Sequence, residues 1–359
     1  MDSVDKKRLW IFLAVAYGLT ALMYLLMIIG LKNGQDLTVF VNAQMMYPAA
    51  GVILGKILVR REGERLPMGG YITFLIIAAV MVLLSLLSLV IKLDPIEYDM
   101  MGTKTTMDVW SMVSQYSLII GSVIMYILFW TCGRQIRENA GLARRNIKMS
   151  IILVAVFVAL FLGREFLNVT LTDAYYGNHD ALEQLTGVVS NIAIWINVAA
   201  LPFNYFLVFI AFFGEEYGWR YYLQPIMQNK FGKRLGVLLL GLVWGVWHIG
   251  ADFMFYTKTD GPIVFVGQLI TCVTVGIFFG YAYMKTQNIW VPVIMHFINN
   301  QLAALLAGGT ADALQGQSYN WIDVPISLVS SIVLALFIFM PVYSSRSKEK
   351  GTEVQTIES

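Results

Sequence analysis

Charge is scarce in this chain of 359 residues. Asp, Glu, Lys and Arg make up 13% of it, and 58% is hydrophobic. Soluble domains are about a quarter charged, so the composition excludes an ordinary water-soluble domain and points to lipid as the solvent. The net charge of +2 is too small to argue for a nucleic-acid partner, and none is expected. Cysteine is nearly missing as well: Cys132 and Cys272 cannot build a disulfide framework and read as ordinary thiols. There are only three histidines. No soluble domain, linker or internal repeat is visible. A removable signal sequence is not expected either. Lys6, Lys7 and Arg8 do precede an apolar run, but that run extends over 9–31 with no small-residue cleavage site after it, which fits a first membrane span better.

What the chain has in abundance is apolar runs of spanning length, about 20 residues each. They cover 9–31, 37–59, 71–91, 109–131, 149–170, 201–223, 235–250, 262–284, 289–307 and 324–343. The stretch 185–200 is also apolar. It reads as an interfacial or re-entrant helix, or as the outer part of a long helix that bends at Pro202. The fold class is therefore all-α, a polytopic transmembrane helical bundle of about 8–10 spans. Loops rich in Lys and Arg (1–8, 56–65, 134–148, 230–234 and the tail after Arg346) alternate with acidic or mixed ones (94–108, 173–183, 252–260, 312–323). Basic loops stay on the cytoplasmic side, so both termini are expected there, in a multi-pass protein of the cell membrane. Asp252 and Asp260 read as outer-loop residues. Gly51/Gly55, Gly241/Gly245 and Gly276/Gly280 have the spacing that lets helices approach closely.

Ionisable side chains inside apolar spans cost about 2.5–3.5 kcal/mol each on insertion scales, which makes the few present here functional candidates. Gly214-Glu215-Glu216-Tyr217-Gly218-Trp219-Arg220 follows an apolar run directly, and Arg220 is spaced to pair with Glu216 along one helix face. His179 lies in a polar loop, whereas His248 and His296 lie inside apolar spans, with Asn300 one turn beyond His296. At 1.5 Å rise per residue, Glu215 and His296 come out about 13 Å from the basic ends of their helices, Asn300 near 19 Å and His248 roughly 20 Å. Three separate spans thus bring polar groups to one level near the middle of a core about 30 Å thick.

Glu215-Glu216…Arg220, Trp244…His248 and His296…Asn300 resemble the EExxxR, FxxxH and HxxxN motifs of the CAAX-protease and bacteriocin-processing (CPBP) intramembrane peptidases. Order and approximate spacing match over roughly 200–305, and Trp244 stands where Phe is usual. The resemblance implies an intramembrane endopeptidase in which Glu215, assisted by His248, activates water, and His296 with Asn300 stabilises the oxyanion. Glu216 and Arg220 then support the site as a pair, because two adjacent carboxylates in a low dielectric do not both ionise without a partner. The expected division is 1–180 for N-terminal helices of unassigned role, 181–307 for the catalytic core, and 308–359 for a last span and cytoplasmic tail. Expected partners are the bilayer and a membrane-associated peptide or protein substrate, either a CaaX-type C-terminus or a bacteriocin or pheromone precursor; the oligomeric state stays open. No cofactor is expected. Zn²⁺ held by Glu215, His248 and His296 is the alternative. A non-catalytic immunity protein and a proton-coupled transporter are the other two readings of the same residues.

The loop charges generate a direct test. Cysteines or reporters placed at residues 140 and 255 should be accessible from opposite sides of the membrane. Labelling of both from one side would mean that the number of crossings between them is wrong.

Overall fold

The computed structural model describes residues 1–100, 103–309 and 314–344. The expected basic tail after Arg346, and Asp312 of the last acidic loop, lie outside the described residues. The architecture is a helical bundle with one two-stranded hairpin. Helix α1 (Ser3–Lys32) leads to α2 (Thr38–Gln44), α3 (Tyr47–Leu58) and α4 (Met68–Val90). The hairpin follows as β1 (Ile96–Met100) and β2 (Thr103–Met107), antiparallel with Ile96 opposite Met107. Then come α5 (Val109–Thr131), α6 (Arg134–Asn139), α7 (Ile147–Tyr176) and α8 (Asp180–Ser190). The site-bearing half consists of α9 (Ile192–Phe231), α10 (Lys233–Met254), α11 (Gly261–Thr286) and α12 (Trp290–Leu306), closed by α13 (Asp323–Phe339) and α14 (Pro341–Ser344).

Seven of these helices are long and apolar enough to cross a membrane: α1, α4, α5, α7, α9, α10 and α11. Helices α12 and α13 are apolar but shorter. Large apolar side chains such as Leu25, Ile76, Ile120, Ile151 and Phe203 remain exposed on the outside of the bundle. On a soluble monomer such a surface would be a liability; on a polytopic membrane protein it is the lipid-facing wall.

Two sequence expectations change here. The run 37–59 is not one span. It breaks at Met45–Met46 into α2 and α3, with Pro48 in the first turn of α3, the position where proline's missing N–H costs nothing. And 185–200 is not one element: α8 ends at Ser190, and a new helix capped by the Asn191 side chain runs on through Pro202.

The ends of the bundle sort as the loop charges require. At the basic end Arg8 pairs with Glu64, Lys56 Nζ donates to Tyr221 Oη at 2.9 Å, and Asn146 Nδ2 donates to the Thr286 carbonyl at 2.9 Å. At the other end Gln35 Nε2 donates to the Ser88 carbonyl at 2.9 Å, and the Asp260 carboxylate accepts from the Tyr319 N–H at 2.9 Å. Burial works against ionisation of Glu64, but its hydrogen bond from Arg8 and the charge of Lys56 outweigh this and hold its carboxyl below the usual range.

The glycine pairs are contact points. Phe12 of α1 lies against Gly51 and Arg8 against Gly55. Gly241 abuts the backbone of Cys272 and Val273 on α11. The closest approach to backbone, however, is one the sequence did not announce. A Cβ on Gly214 would lie 2.3 Å from the Met45 carbonyl oxygen, and one on Gly218 would lie 2.3 Å from Pro48 Cβ. The two glycines that bracket Glu215 and Glu216 are therefore the surface on which the broken α2–α3 pair rests. Backbone cannot yield there as a flexible side chain would, so Gly214→Ala should cost about 1–3 kcal/mol by overpacking. Gly163→Ala, where nothing lies within 4 Å, should leave the thermal midpoint of the detergent-purified protein unchanged. Equal midpoints for the two variants would refute the bracing role.

Candidate active site

Helix α9 carries Glu215 and Glu216 at the end of its regular α-helical part. From Tyr217 to Leu223 the chain widens into a π-helical turn, a local irregularity that marks functional positions in many helices. Glu215 is 2% exposed, and Glu216 and Arg220 are fully buried. On α10, regular helix stops at Trp247 and restarts at Ile249, with His248 at the joint. On α12, His296 is buried in mid-helix, and Asn300 follows it one turn on, half-buried.

The three motifs converge. Oε1 of Glu216 receives a hydrogen bond from His296 Nδ1 at 2.9 Å. Its Oε2 lies 3.2 Å from Arg220 Nε, close enough for charge attraction though not aligned as a hydrogen bond. The expected Glu216–Arg220 pair is thus present, but Glu216 also ties α9 to α12. The Arg220 guanidinium lies between two rings, 4.3 Å from the centroid of Trp244 and 5.4 Å from that of Phe279. Cation–π attraction is strongest where water is excluded, and here it takes the place of aligned hydrogen bonds.

Glu215 turns the other way. Its Oε2 accepts a hydrogen bond from Trp244 Nε1 at 2.8 Å. The Trp244 carbonyl in turn meets His248 Nδ1 at 2.9 Å, and its ring packs edge-on against His296 with centroids 5.5 Å apart. His248 is within electrostatic reach of both Glu215 and His296. Trp244, the residue that departs from the motif pattern, is therefore at the centre of the site. A phenylalanine could supply the ring but not the N–H.

Three further features escaped the sequence reading. Asn299, beside Asn300 in the chain, donates to Asn300 Oδ1 at 3.1 Å. That occupies the acceptor end of the Asn300 amide and leaves the NH₂ end to donate. Asp252 is not an outer-loop residue: it is on the helical turn after His248, fully buried, with neither carboxylate oxygen hydrogen-bonded. The sequence run extends past Gly250 as helix to Met254, which carries Asp252 inside. Its spacing of four from His248 was the available signal.

The third feature concerns the N-terminal helices. A break in a helix at membrane depth frees carbonyls that must find donors. Around His248 these come from α1 and α2. Tyr17 Oη donates to the Val243 carbonyl at 3.0 Å, Tyr24 Oη to that of Trp247, and Gln44 Nε2 to Trp247 as well at 3.0 Å. Trp247 Nε1 reciprocates by donating to the Ala16 carbonyl at 2.7 Å. The joint that carries His248 is thus suspended from the opposite end of the sequence.

Chemically the site offers a buried carboxylate with one oxygen engaged, an imidazole whose Nδ1 faces a carbonyl, a second imidazole anchored to a carboxylate, and a primary amide. Among the described residues, no three His, Cys, Asp or Glu side chains come together as an ion-binding group.

No curated protein and no solved structure matches the chain. A family model does: residues 197–302 match the one described as "Type II CAAX prenyl endopeptidase Rce1-like", and that stretch contains every residue of the three motifs. Over 197–302 the polytopic bundle is thus similar to the type II CAAX prenyl endopeptidases of that family model.

Proposed function

We propose that this protein cleaves a peptide bond in a membrane-associated substrate by a metal-independent mechanism in which Glu215 and His248 activate water. The observation that carries the reading is the split use of the adjacent carboxylates. Glu216 is consumed by Arg220 and His296, while Glu215 is held only by the Trp244 N–H and keeps an oxygen for water. General-base catalysis needs that free oxygen within hydrogen-bond reach of the nucleophile. His248, with Nδ1–H directed at the Trp244 carbonyl, presents a bare Nε2 that can share the proton. On this reading the CaaX-type substrate class follows from the family of the core, and bacteriocin or pheromone precursors remain the other candidates. The catalytic level lies within the bilayer, and the basic end of the bundle, with both termini, faces the cytoplasm.

The oxyanion side follows from hydrogen-bond direction. Asn300 Nδ2 is an uncharged donor. With Glu216 ionised, His296 Nδ1 carries a hydrogen, so a neutral ring leaves Nε2 as an acceptor. To donate to a developing oxyanion from Nε2, the ring must be protonated, and Glu216 supplies the balancing charge. The carboxylate of Glu216 therefore acts electrostatically on the transition state without touching it.

Two experiments follow. Glu215→Gln, which keeps shape and the contact with Trp244 but cannot take a proton, should lower kcat on a CaaX-type prenylated peptide by about 10²–10⁴ while substrate binding persists. Retained turnover in that variant would sink the glutamate mechanism. Prolonged treatment of the purified enzyme with a strong chelator should leave its turnover unchanged. A loss restored by added Zn²⁺ would favour the metalloprotease alternative instead.

A further inference from the structure

A second candidate site lies on the flank of the bundle, on the far side of α9 from Glu215. A cavity of about 530 Å³ opens there between α5, α7, α9 and α12. Ile151, Val154 and Ala155 line it along α7, with Tyr205 and Phe206 opposite on α9. From Ile147 to Ala155 the slot runs parallel to the helices for about 12 Å. No carboxylate lines it. At its rim, three residues before α7 begins, stands Arg144.

Arg144 is exposed, and its guanidinium is stacked 3.8 Å above the Trp130 ring. Among the described residues its one hydrogen bond is a long one, donated to Tyr126 Oη at 3.5 Å. Among the described residues it has no ion pair; the nearby Glu138 is taken by Arg134 at 2.9 Å. Asn288 and Ser150 add a polar edge beside it, with Asn288 Nδ2 donating to Ser150 Oγ at 3.2 Å. An aromatic-walled slot parallel to the membrane normal, with an unpaired fixed cation at the end where the basic loops gather, is complementary to an anionic amphiphile.

None of Glu215, Glu216, Arg220, His248, His296 and Asn300 lines the slot. Phe209 and Phe213 pack on Trp290, with centroids 5.8 Å apart in both pairs, and this aromatic wall stands between the slot and Glu216. A hydrocarbon chain lying in the slot would be behind the catalytic helix rather than beside the scissile bond. We propose that the Arg144 slot binds an anionic glycerophospholipid of the surrounding leaflet, with one acyl chain between α7 and α9 and the phosphate at Arg144. Cationic pockets between membrane helices hold anionic headgroups in this way. A bound lipid would fill the space behind Phe209 and Trp290, and so brace α9 and α12 from outside.

The test uses the full chain, titrated by native mass spectrometry with phosphatidylglycerol and with phosphatidylcholine of identical acyl chains. One basic residue near a membrane surface contributes about 1 kcal/mol, equivalent to a preference of about five-fold for the anionic lipid. Arg144→Gln should abolish that preference. Arg145→Gln, which removes a neighbouring charge that does not line the slot, should leave it intact. Ala155→Trp, which fills the slot from an exposed position, should weaken both lipids, whereas glycerol 3-phosphate should not compete. In the unmodified chain, phosphatidylglycerol bearing a photoreactive acyl chain should label the segment 147–155. Equal binding of both lipids, a preference that survives Arg144→Gln, or labelling elsewhere would overturn the proposal. So would an Ala155→Trp variant that binds lipid normally but shows a raised KM for a prenylated peptide, since the slot would then hold the substrate's chain. None of these readouts except the last requires the peptidase reading to be correct.

Discussion

The carboxylate of Glu216 is the constraint around which the other groups of the site are arranged. It is fully buried and must be satisfied from within the protein, because an isolated ion in a low dielectric is untenable. Arg220 supplies the charge and His296 the hydrogen bond. Arg220 needs an environment of its own and finds it between the rings of Trp244 and Phe279. Once Trp244 is placed under the guanidinium, its indole N–H reaches Glu215 and its carbonyl orients His248. One buried charge therefore ties four helices together, and the polar groups left over face the same interior.

The motifs that hold this arrangement were legible because lipid makes polar residues conspicuous. Glu215, Glu216, Arg220, His248, His296 and Asn300 stood out against apolar surroundings, and rise per residue alone set Glu215, His248, His296 and Asn300 near one level. The pairing of Glu216 with His296 was not legible, because nothing in the spacing says which of two adjacent carboxylates faces a third helix. The broken α2–α3 pair read as one span because hydropathy counts apolar residues and does not see a helix interrupted at Met45–Met46. Asp252 was misplaced for a related reason: a carboxylate beside an acidic loop looks like part of the loop until the helix is seen to continue to Met254.

The helices before residue 180 offered no motif and were left without a role. The structure gives them two, and neither has a sequence signature. The α2–α3 pair presses on Gly214 through the backbone of Met45 and Met46, where side-chain identity hardly matters, and on Gly218 through Pro48. Helix α1 contributes through Tyr17, Tyr24 and the Ala16 carbonyl. These ordinary spanning residues become specific only because α10 breaks opposite them. A division of the chain into accessory helices and a catalytic core is thus a division of sequence motifs. The load path crosses it several times.

The suspension of the His248 joint from α1 also couples that joint to the posture of a spanning helix. A spanning helix answers a thinner or thicker hydrocarbon layer by changing its tilt, and α1 shares with α2 the hydrogen bonds that hold the Trp247 carbonyl. Tyr17 and Tyr24 tie the joint to the tilt of α1, while Gln44 ties the same carbonyl to α2, whose end at Met45 also touches Gly214. Carboxylate and imidazole are thus held through different neighbours: the His248 joint by Tyr17, Tyr24 and Gln44, and the helix of Glu215 by the backbone of Met45 and Met46.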